Sequence, residues 1–309
     1  MNNPGHINIS IVCCTRNRSS FVREHYAMLR DKMTSATEVL YALDHCTDDT
    51  LDYVRSIAQT DPRVRFAENT GAAGLFSCRN FAIDQVRGRY VHYLDDDDGV
   101  SDGFYARIDA LLAQGVQGDM LVTTLLLDED GHPPRFIPTI DTAKVTFTGN
   151  DDLRVVEGNI FDHVLNGHLY FYNGNTLINV DTLRRFPFHA EIRKTADWLQ
   201  SLEIAHAQPV RQVHIGCVHA IYRVHANSMS IASDKSHWNM KAFELLYRSI
   251  PAGHPHSNPV KRVFARALFD AGYAIRRSDK RGALAHYLHA ARMGYARRAL
   301  AAVVKLPFT

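Results

Sequence analysis

Residues 86 to 102 read VRGRYVHYLDDDDGVSD, with four carboxylates in succession, Asp95, Asp96, Asp97 and Asp98, directly after a run of β-formers. Neighbouring like charges repel, so the run needs either full solvation or a compensating cation. The first option is a plain acidic turn; the second is a cation site. Two further polar clusters occupy comparable places. Thr15, Arg16 and Asn17 close the apolar run 7–17, and Asp44 to Asp49 close the stretch 38–50. If each apolar run is a strand, three polar strand ends meet at one sheet edge. Ligands bind at that edge in open α/β sheets. The convergence favours the cation site over the solvated turn.

The elements that must carry these residues follow from periodicity. Residues 7–17, 38–50 and 63–69 are strand-like, whereas 18–33, 51–60 and 74–88 have helical spacing. This alternation predicts βαβ units and a mostly parallel sheet covered by helices on both faces. Further on, 118–138 reads as a hairpin turning at DEDGH, and 168–186 as a strand leading into a short helix. Residues 190–207 have helical spacing, and 213–233 give a strand and then a polar loop. Beyond residue 233 the pattern is helical to the end.

With 309 residues, 46% of them hydrophobic, the chain can bury a large core. Its five cysteines show neither CxxC pairing nor zinc-type spacing, which fits free thiols in a reducing cytoplasm. The sequence predicts no signal peptide, and no apolar run approaches the ~18 residues of a membrane span. A cytoplasmic location is the expectation. Charge is uneven: from residue 261 onward, eleven Lys and Arg face only Asp270 and Asp279, a net of +9, against −7 for the rest. A basic, helical tail predicts an anionic partner, such as the inner face of the cytoplasmic membrane.

The series CCTRN, LDHCTDDT and ENTGAAGLFSCRNFAIDQVRGRYVHYLDDDD resembles the nucleotide-sugar-binding half of family 2 glycosyltransferases, which have the GT-A fold. Asn69, Gly71, Arg79, Asn80, Gly88, Tyr90, Asp95, Asp97 and Asp98 stand at the family's positions. KTADWLQSLEIA resembles the segment whose aspartate is the catalytic base of inverting members, here Asp197, although Ala196 replaces the usual preceding glutamate. YRVHANSMS resembles the loop that folds over the donor diphosphate, offering Tyr222, Arg223, His225, Ser228 and Ser230. The resemblance implies a GT-A domain whose residues 1–105 bind the nucleotide-sugar and 106–233 hold the acceptor and catalytic half. Residues 234–309 form a basic helical extension.

The implied reaction is metal-dependent, inverting transfer of a sugar from a nucleotide-sugar, a UDP-sugar by preference, to a glycan or lipid-linked acceptor. Surface polysaccharide or glycoconjugate synthesis is the implied setting, and nucleic acid is not a partner. Mn²⁺ or Mg²⁺ takes oxygen ligands and neutralises a leaving diphosphate. Asp95, Asp97, Asp98 and His225 are the implied ligands. Thr15, Arg16, Asn17, Asp44, Asn69, Arg79, Asp95, Asp96, Arg223 and Ser228 are the implied donor contacts. Plainer roles stay open: Asp44 as a turn cap, Asp197 as a helix cap, Arg79 as the ion-pair partner of a neighbouring acid, and His225 as an ordinary loop histidine. Two other activities also stay open. One is a non-catalytic nucleotide-sugar or glycan binder. The other is a sugar-phosphate nucleotidyltransferase, disfavoured because CCTRNRSS after the first strand has no glycine.

Overall fold

A computed structural model describes residues 7–170, 172–225 and 234–308. In chain order the elements are β1 (Ile9–Thr15), α1 (Ser19–Leu29), β2 (Thr37–Leu43), α2 (Thr50–Ala58), β3 (Val64–Glu68), α3 (Leu75–Ile83) and β4 (Tyr90–Tyr93). Then follow β5 (Gly99–Val100), α4 (Phe104–Ala113), β6 (Met120–Glu129), β7 (Arg135–Ile137), β8 (Thr148–Gly149), β9 (Leu153–Gly158) and α5 (Phe161–Leu165). The rest comprises β10 (Thr176–Asn179), α6 (Val180–Arg185), α7 (Ala196–Ala207) and β11 (Val210–Val224). Four helices end the chain: α8 (Lys235–Ser249), α9 (Ser257–Ile275), α10 (Lys280–Arg292) and α11 (Ala296–Lys305).

One sheet runs β3-β2-β1-β4-β10-β6-β11-β9-β8, with β5 on β11 and β7 on β6. Strands β3, β2, β1 and β4 are parallel, and β10 runs antiparallel between β4 and β6. Strand order reverses at β1, which has β2 on one side and β4 on the other. Loops leaving the carboxyl ends of β1 and β4 therefore diverge and open a crevice at that point. The Thr15 cluster and the aspartate run stand there.

The pleat explains why these strands are nearly all apolar. Ile9, Ile11 and Cys13 enter one core with Val39, Tyr41 and Leu43, while Val12, Leu40 and Ala42 enter the core on the opposite face. Gly88 is required where the chain enters β4: a Cβ there would lie 2.4 Å from the Ser10 backbone nitrogen. The hairpin expected over 118–138 forms between β6 and β7. Helix α7 starts at Ala196, six residues after the helical spacing begins, and the strand expected within 168–186 is only Thr176–Asn179. Helices α4 and α5 and strands β5, β8 and β9 fall where no element was expected. Most are short, and β5 and α4 follow the aspartate loop in turn.

The C-terminal helices do not stand apart from the sheet. Phe243, Leu246, Phe264 and Leu268 belong to the same buried cluster as Val91, Val122, Leu199 and Leu202. Among the described residues no helix is long and apolar enough to cross a membrane.

Candidate active site

The aspartate run is almost fully engaged by protein groups. Arg79 on α3, 4% exposed, places Nη2 2.7 Å from Asp95 Oδ1. Arg18, one residue before α1, reaches Asp96 Oδ1 at 2.8 Å and Asp97 Oδ2 at 2.9 Å through a single nitrogen. Its guanidinium lies over the Phe21 ring, 3.9 Å from the centroid. Thr15 Oγ1 donates to Asp96 Oδ2 at 2.7 Å. Asp98, buried, accepts from the Tyr172 hydroxyl and from the Arg223 backbone N–H, both at 3.1 Å. His225 Nε2 lies 3.2 Å from Asp97 Oδ2, and its ring is stacked with Phe21.

These contacts sort the expected residues. A cavity of about 540 Å³ is lined by Thr15, Arg16, Asp44, Arg79, Asp95, Asp96, Asp97, Asp197 and Arg223. Asp98 is not in its wall, because both its oxygens are spent on Tyr172 and the Arg223 amide. Asn69 stands behind the wall. Its Nδ2 donates to Asp44 Oδ1 at 2.9 Å while the Gly74 N–H donates to Asp44 Oδ2 at 2.9 Å. Asp44 thus pins the turn between β3 and α3. Asn17 ties two loops together, its Oδ1 accepting from the Thr47 N–H at 2.7 Å. Asn80 likewise exchanges hydrogen bonds with both backbone groups of Phe188. Ser228 and Ser230 lie outside the described residues.

Asp197 sits in the first turn of α7, where its Oδ1 accepts from the Trp198 N–H at 2.9 Å. It also faces the cavity shared with Asp95 and Arg79. Burial raises its pKa above the ordinary carboxylate value, Arg79 opposes the rise, and Asp95 adds to it. Thr195, two residues earlier, holds φ at 62°. That left-handed backbone is strained for a β-branched residue, and such strain gathers at sites that over-determine it. Asn17 and His45, at φ 54° and 55° in the loops after β1 and β2, are the other non-glycine examples among the described residues.

Several cavity residues escaped sequence reasoning. Arg18 directly follows the Thr-Arg-Asn triplet and was within reach of it. Lys194 opens the Asp197 segment itself, Arg193 directly precedes it, and Lys235 opens α8. Tyr172 is 74 positions from Asp98, and nothing in the sequence links the two. Together the cavity's arginines and lysines supply the positive surface that a diphosphate requires. A larger cavity of about 880 Å³ lies among α5, α8 and α9 and holds none of the expected residues.

Mg²⁺ and Mn²⁺ favour carboxylate oxygens. Asp95 and Asp97, two positions apart with side chains 27% and 22% exposed, present such donors to the cavity. The donor set fits a hard divalent cation, which would compete with Arg18 and Arg79 for these oxygens.

Comparison with known proteins bears on this geometry. Residues 10–151 match the family model described as glycosyl transferase family 2. The chain is 26% identical over 96 residues to the GalNAc(5)-diNAcBac-PP-undecaprenol beta-1,3-glucosyltransferase of Campylobacter jejuni, covering 31% of each chain. It is 28% identical over 153 residues to the uncharacterized glycosyltransferase YibD of Escherichia coli, covering 48% of this chain and 43% of that one. The chain thus spans under half the length of these curated relatives. Among solved structures, S. aureus TarS 1-349 in complex with UDP-GlcNAc superposes with a TM-score of 0.66 at 14% identity, over 93% of this chain and 81% of that one. The mannosyltransferase PcManGT of Pyrobaculum calidifontis, in complex with GDP-Man and Mn2+, gives 0.58 at 16% identity over 98% and 82%. The fold is GT-A, and residues 10–151, a little under half of the chain, are similar to the family 2 glycosyltransferase domain.

The burial of Asp96 has a measurable consequence. Burial raises its pKa from 3.8 to about 6, against the opposing effects of Thr15 and Arg18. Between those values the folded chain holds a proton that the unfolded chain has lost, so this group's contribution to stability falls as pH rises. The shift corresponds to a difference on the order of 2–3 kcal/mol. Urea denaturation of wild type and Asp96→Asn across pH 4 to 7 should show wild type losing stability relative to the variant over that window. A constant difference would contradict the burial argument.

Proposed function

We propose that the protein is an inverting glycosyltransferase that moves a sugar from a nucleotide-sugar to an acceptor hydroxyl. The observation that carries this reading is the single cavity lined by Asp95 and Asp97 together with Asp197, which comes from a different element. Direct displacement needs charge compensation at the leaving diphosphate and a base on the opposite face of the sugar. Burial raises the pKa of Asp197, which makes it a stronger proton acceptor than an ordinary carboxylate. In the proposed reaction the acceptor oxygen attacks the anomeric carbon as Asp197 takes its proton. The bond from that carbon to the diphosphate oxygen breaks, and the nucleoside diphosphate leaves with the electron pair.

Asp95 and Asp97 would hold Mn²⁺ or Mg²⁺, which supplies Lewis-acid compensation of the leaving diphosphate when bound. In this reading Asp98 shapes the loop, His225 acts through Asp97, and Arg16, Arg79 and Arg223 meet phosphate oxygens. Asp44, braced by Asn69, faces the nucleobase, and Thr15 and Asn17 hold the loop beneath it. Residues 1–105 then form the donor half, 106–233 the acceptor half, and 234–309 a basic extension. UDP is the proposed nucleotide, in line with the UDP-GlcNAc bound by TarS. The Campylobacter relative's name specifies a polyprenol-diphosphate-linked glycan, which supports a lipid-linked acceptor in surface glycoconjugate synthesis.

A membrane-facing tail would serve such an acceptor at the cytoplasmic leaflet. Arg277, Lys280 and Arg281 are exposed at the turn between α9 and α10, and Tyr273, Leu284 and Leu288 are exposed beside them. Leu300 and Val304 on α11 are 51% and 72% exposed, next to Arg297, Arg298 and Lys305. Each basic residue near an anionic surface contributes ~1 kcal/mol.

Transfer assays with nucleotide-sugars and a lipid-linked acceptor test the catalytic roles. Asp197→Asn should lower kcat by ~10²-fold or more with donor binding retained, the usual contribution of a positioned base. Asp97→Asn should abolish cation-dependent transfer with the fold intact. Full activity in either variant would remove that residue from its role. Flotation with liposomes should recover the protein on anionic vesicles at low salt and release it at high salt. Equal recovery on neutral vesicles, or none on either, would leave the tail as packing alone.

A further inference from the structure

At the opposite end of α7 from Asp197 lies a second group of metal-ligating side chains. His206 occupies the last turn of α7, and His254 and His256 flank Pro255 in the connection from α8 to α9. One ligand nitrogen from each of the three lies within 4.8 Å of the others, the only such trio among the described residues. The Nδ1 atoms of His206 and His256 are 2.9 Å apart. His254 Nδ1 accepts from the His256 backbone N–H at 3.1 Å, so that nitrogen carries a lone pair. The cluster also rests on a firm support. The His256 ring, in a residue 7% exposed, lies on Phe161 at 3.9 Å between centroids and 10° between planes.

We propose that His206, His254 and His256 bind one divalent transition cation, with zinc the best match, and that this cation staples the end of α7 to the start of α9. Imidazole nitrogens suit zinc better than magnesium or manganese, which prefer oxygen. Zinc–nitrogen bonds of about 2.0–2.1 Å in tetrahedral geometry set ligand nitrogens roughly 3.3 Å apart. The His206–His256 pair need open by only a few tenths of an ångström. A cation would take over the His254 lone pair from the His256 amide. Burial lowers the pKa of both His206 and His256, which keeps them in the neutral form that ligates. The Asp162 carboxylate on α5 acts on His256 in the sense that favours positive charge there. A bound cation would feel the same attraction.

The consequence concerns α7 as a rigid element. Its first turn carries Asp197 and its last turn carries His206, so a cation at the histidines fixes the helix against the C-terminal helices. The site is independent of the proposed transfer chemistry and stands or falls separately.

The test uses full-length protein carrying no polyhistidine tag, stripped with a chelator and dialysed. Titration with zinc against a chromophoric competitor should show one equivalent bound per chain. At a hundredfold excess over Kd, the Tm should rise by about 4 °C or more. His206→Gln and His254→Gln should each lose the bound equivalent and the Tm rise, whereas Asp97→Asn should retain both. Cobalt in place of zinc should give the visible absorption of a tetrahedral site in wild type and lose it in the histidine variants. Should His206→Gln fail to fold, His254→Gln decides, since His254 is only partly buried. No zinc uptake by wild type, or uptake unchanged in the foldable histidine variants, would overturn the site.

Discussion

Unit charges 4 Å apart interact by about 1 kcal/mol in bulk water and by roughly four times that near a protein surface. Asp95 to Asp98 are partly or fully buried, so their mutual repulsion is of the second kind. They are held from several parts of the chain. Asp95 is held from α3 by Arg79, and Asp96 from β1 by Thr15 and from the following loop by Arg18. Arg18 and His225 hold Asp97, while Tyr172 and the Arg223 amide hold Asp98. The convergence of β1, α3, β4, the loop before β10 and the end of β11 is therefore also the partial charge compensation of one acidic run. Removing Arg79 would leave Asp95 facing Asp97 and Asp197 with its nearest cation gone, and an unpaired buried charge is far costlier than a broken surface pair.

This arrangement links fold to chemistry. The run lies where strand order reverses, so its loop and the one after β1 face each other across an open crevice. Arg18 and Arg79 hold the carboxylates to which the proposed cation would bind, and on that exchange their own charge would become available to phosphate oxygens. Asp197 enters from another element, preceded by a strained Thr195, and its burial raises its proton affinity. The raised pKa follows from how α7 packs. Its Leu199, Leu202 and Ile204 are buried in the core shared with the C-terminal helices.

Much of this was legible in the sequence, for definable reasons. The β1-to-β4 alternation was readable because strands buried on both faces are unbroken apolar runs bounded by polar loops. The aspartate run was readable because clustered like charge demands an explanation. The partners of the run were less so. Arg18 adjoins a quoted motif, yet its two carboxylates lie 78 and 79 positions away. Asp98 looks equivalent to its neighbours, and only the approach of Tyr172 and β11 turns it from the cavity. Strands β8 and β9 and helix α5 are short, with too few turns of pattern for periodicity to register. The histidine trio was invisible because His206 and His256 are 50 positions apart and show no paired spacing.

The central claim is that the arginine-held aspartates form a cation-dependent diphosphate site. Thermal denaturation with UDP, GDP and dTDP, each in Mn²⁺ or in EDTA, tests it most directly, because a ligand stabilises in proportion to its occupancy of the folded state. At least one nucleoside diphosphate, UDP by preference, should raise the Tm in Mn²⁺ by several degrees and lose most of that rise in EDTA. Equal stabilisation with and without the cation, or none from any nucleotide, would contradict the account.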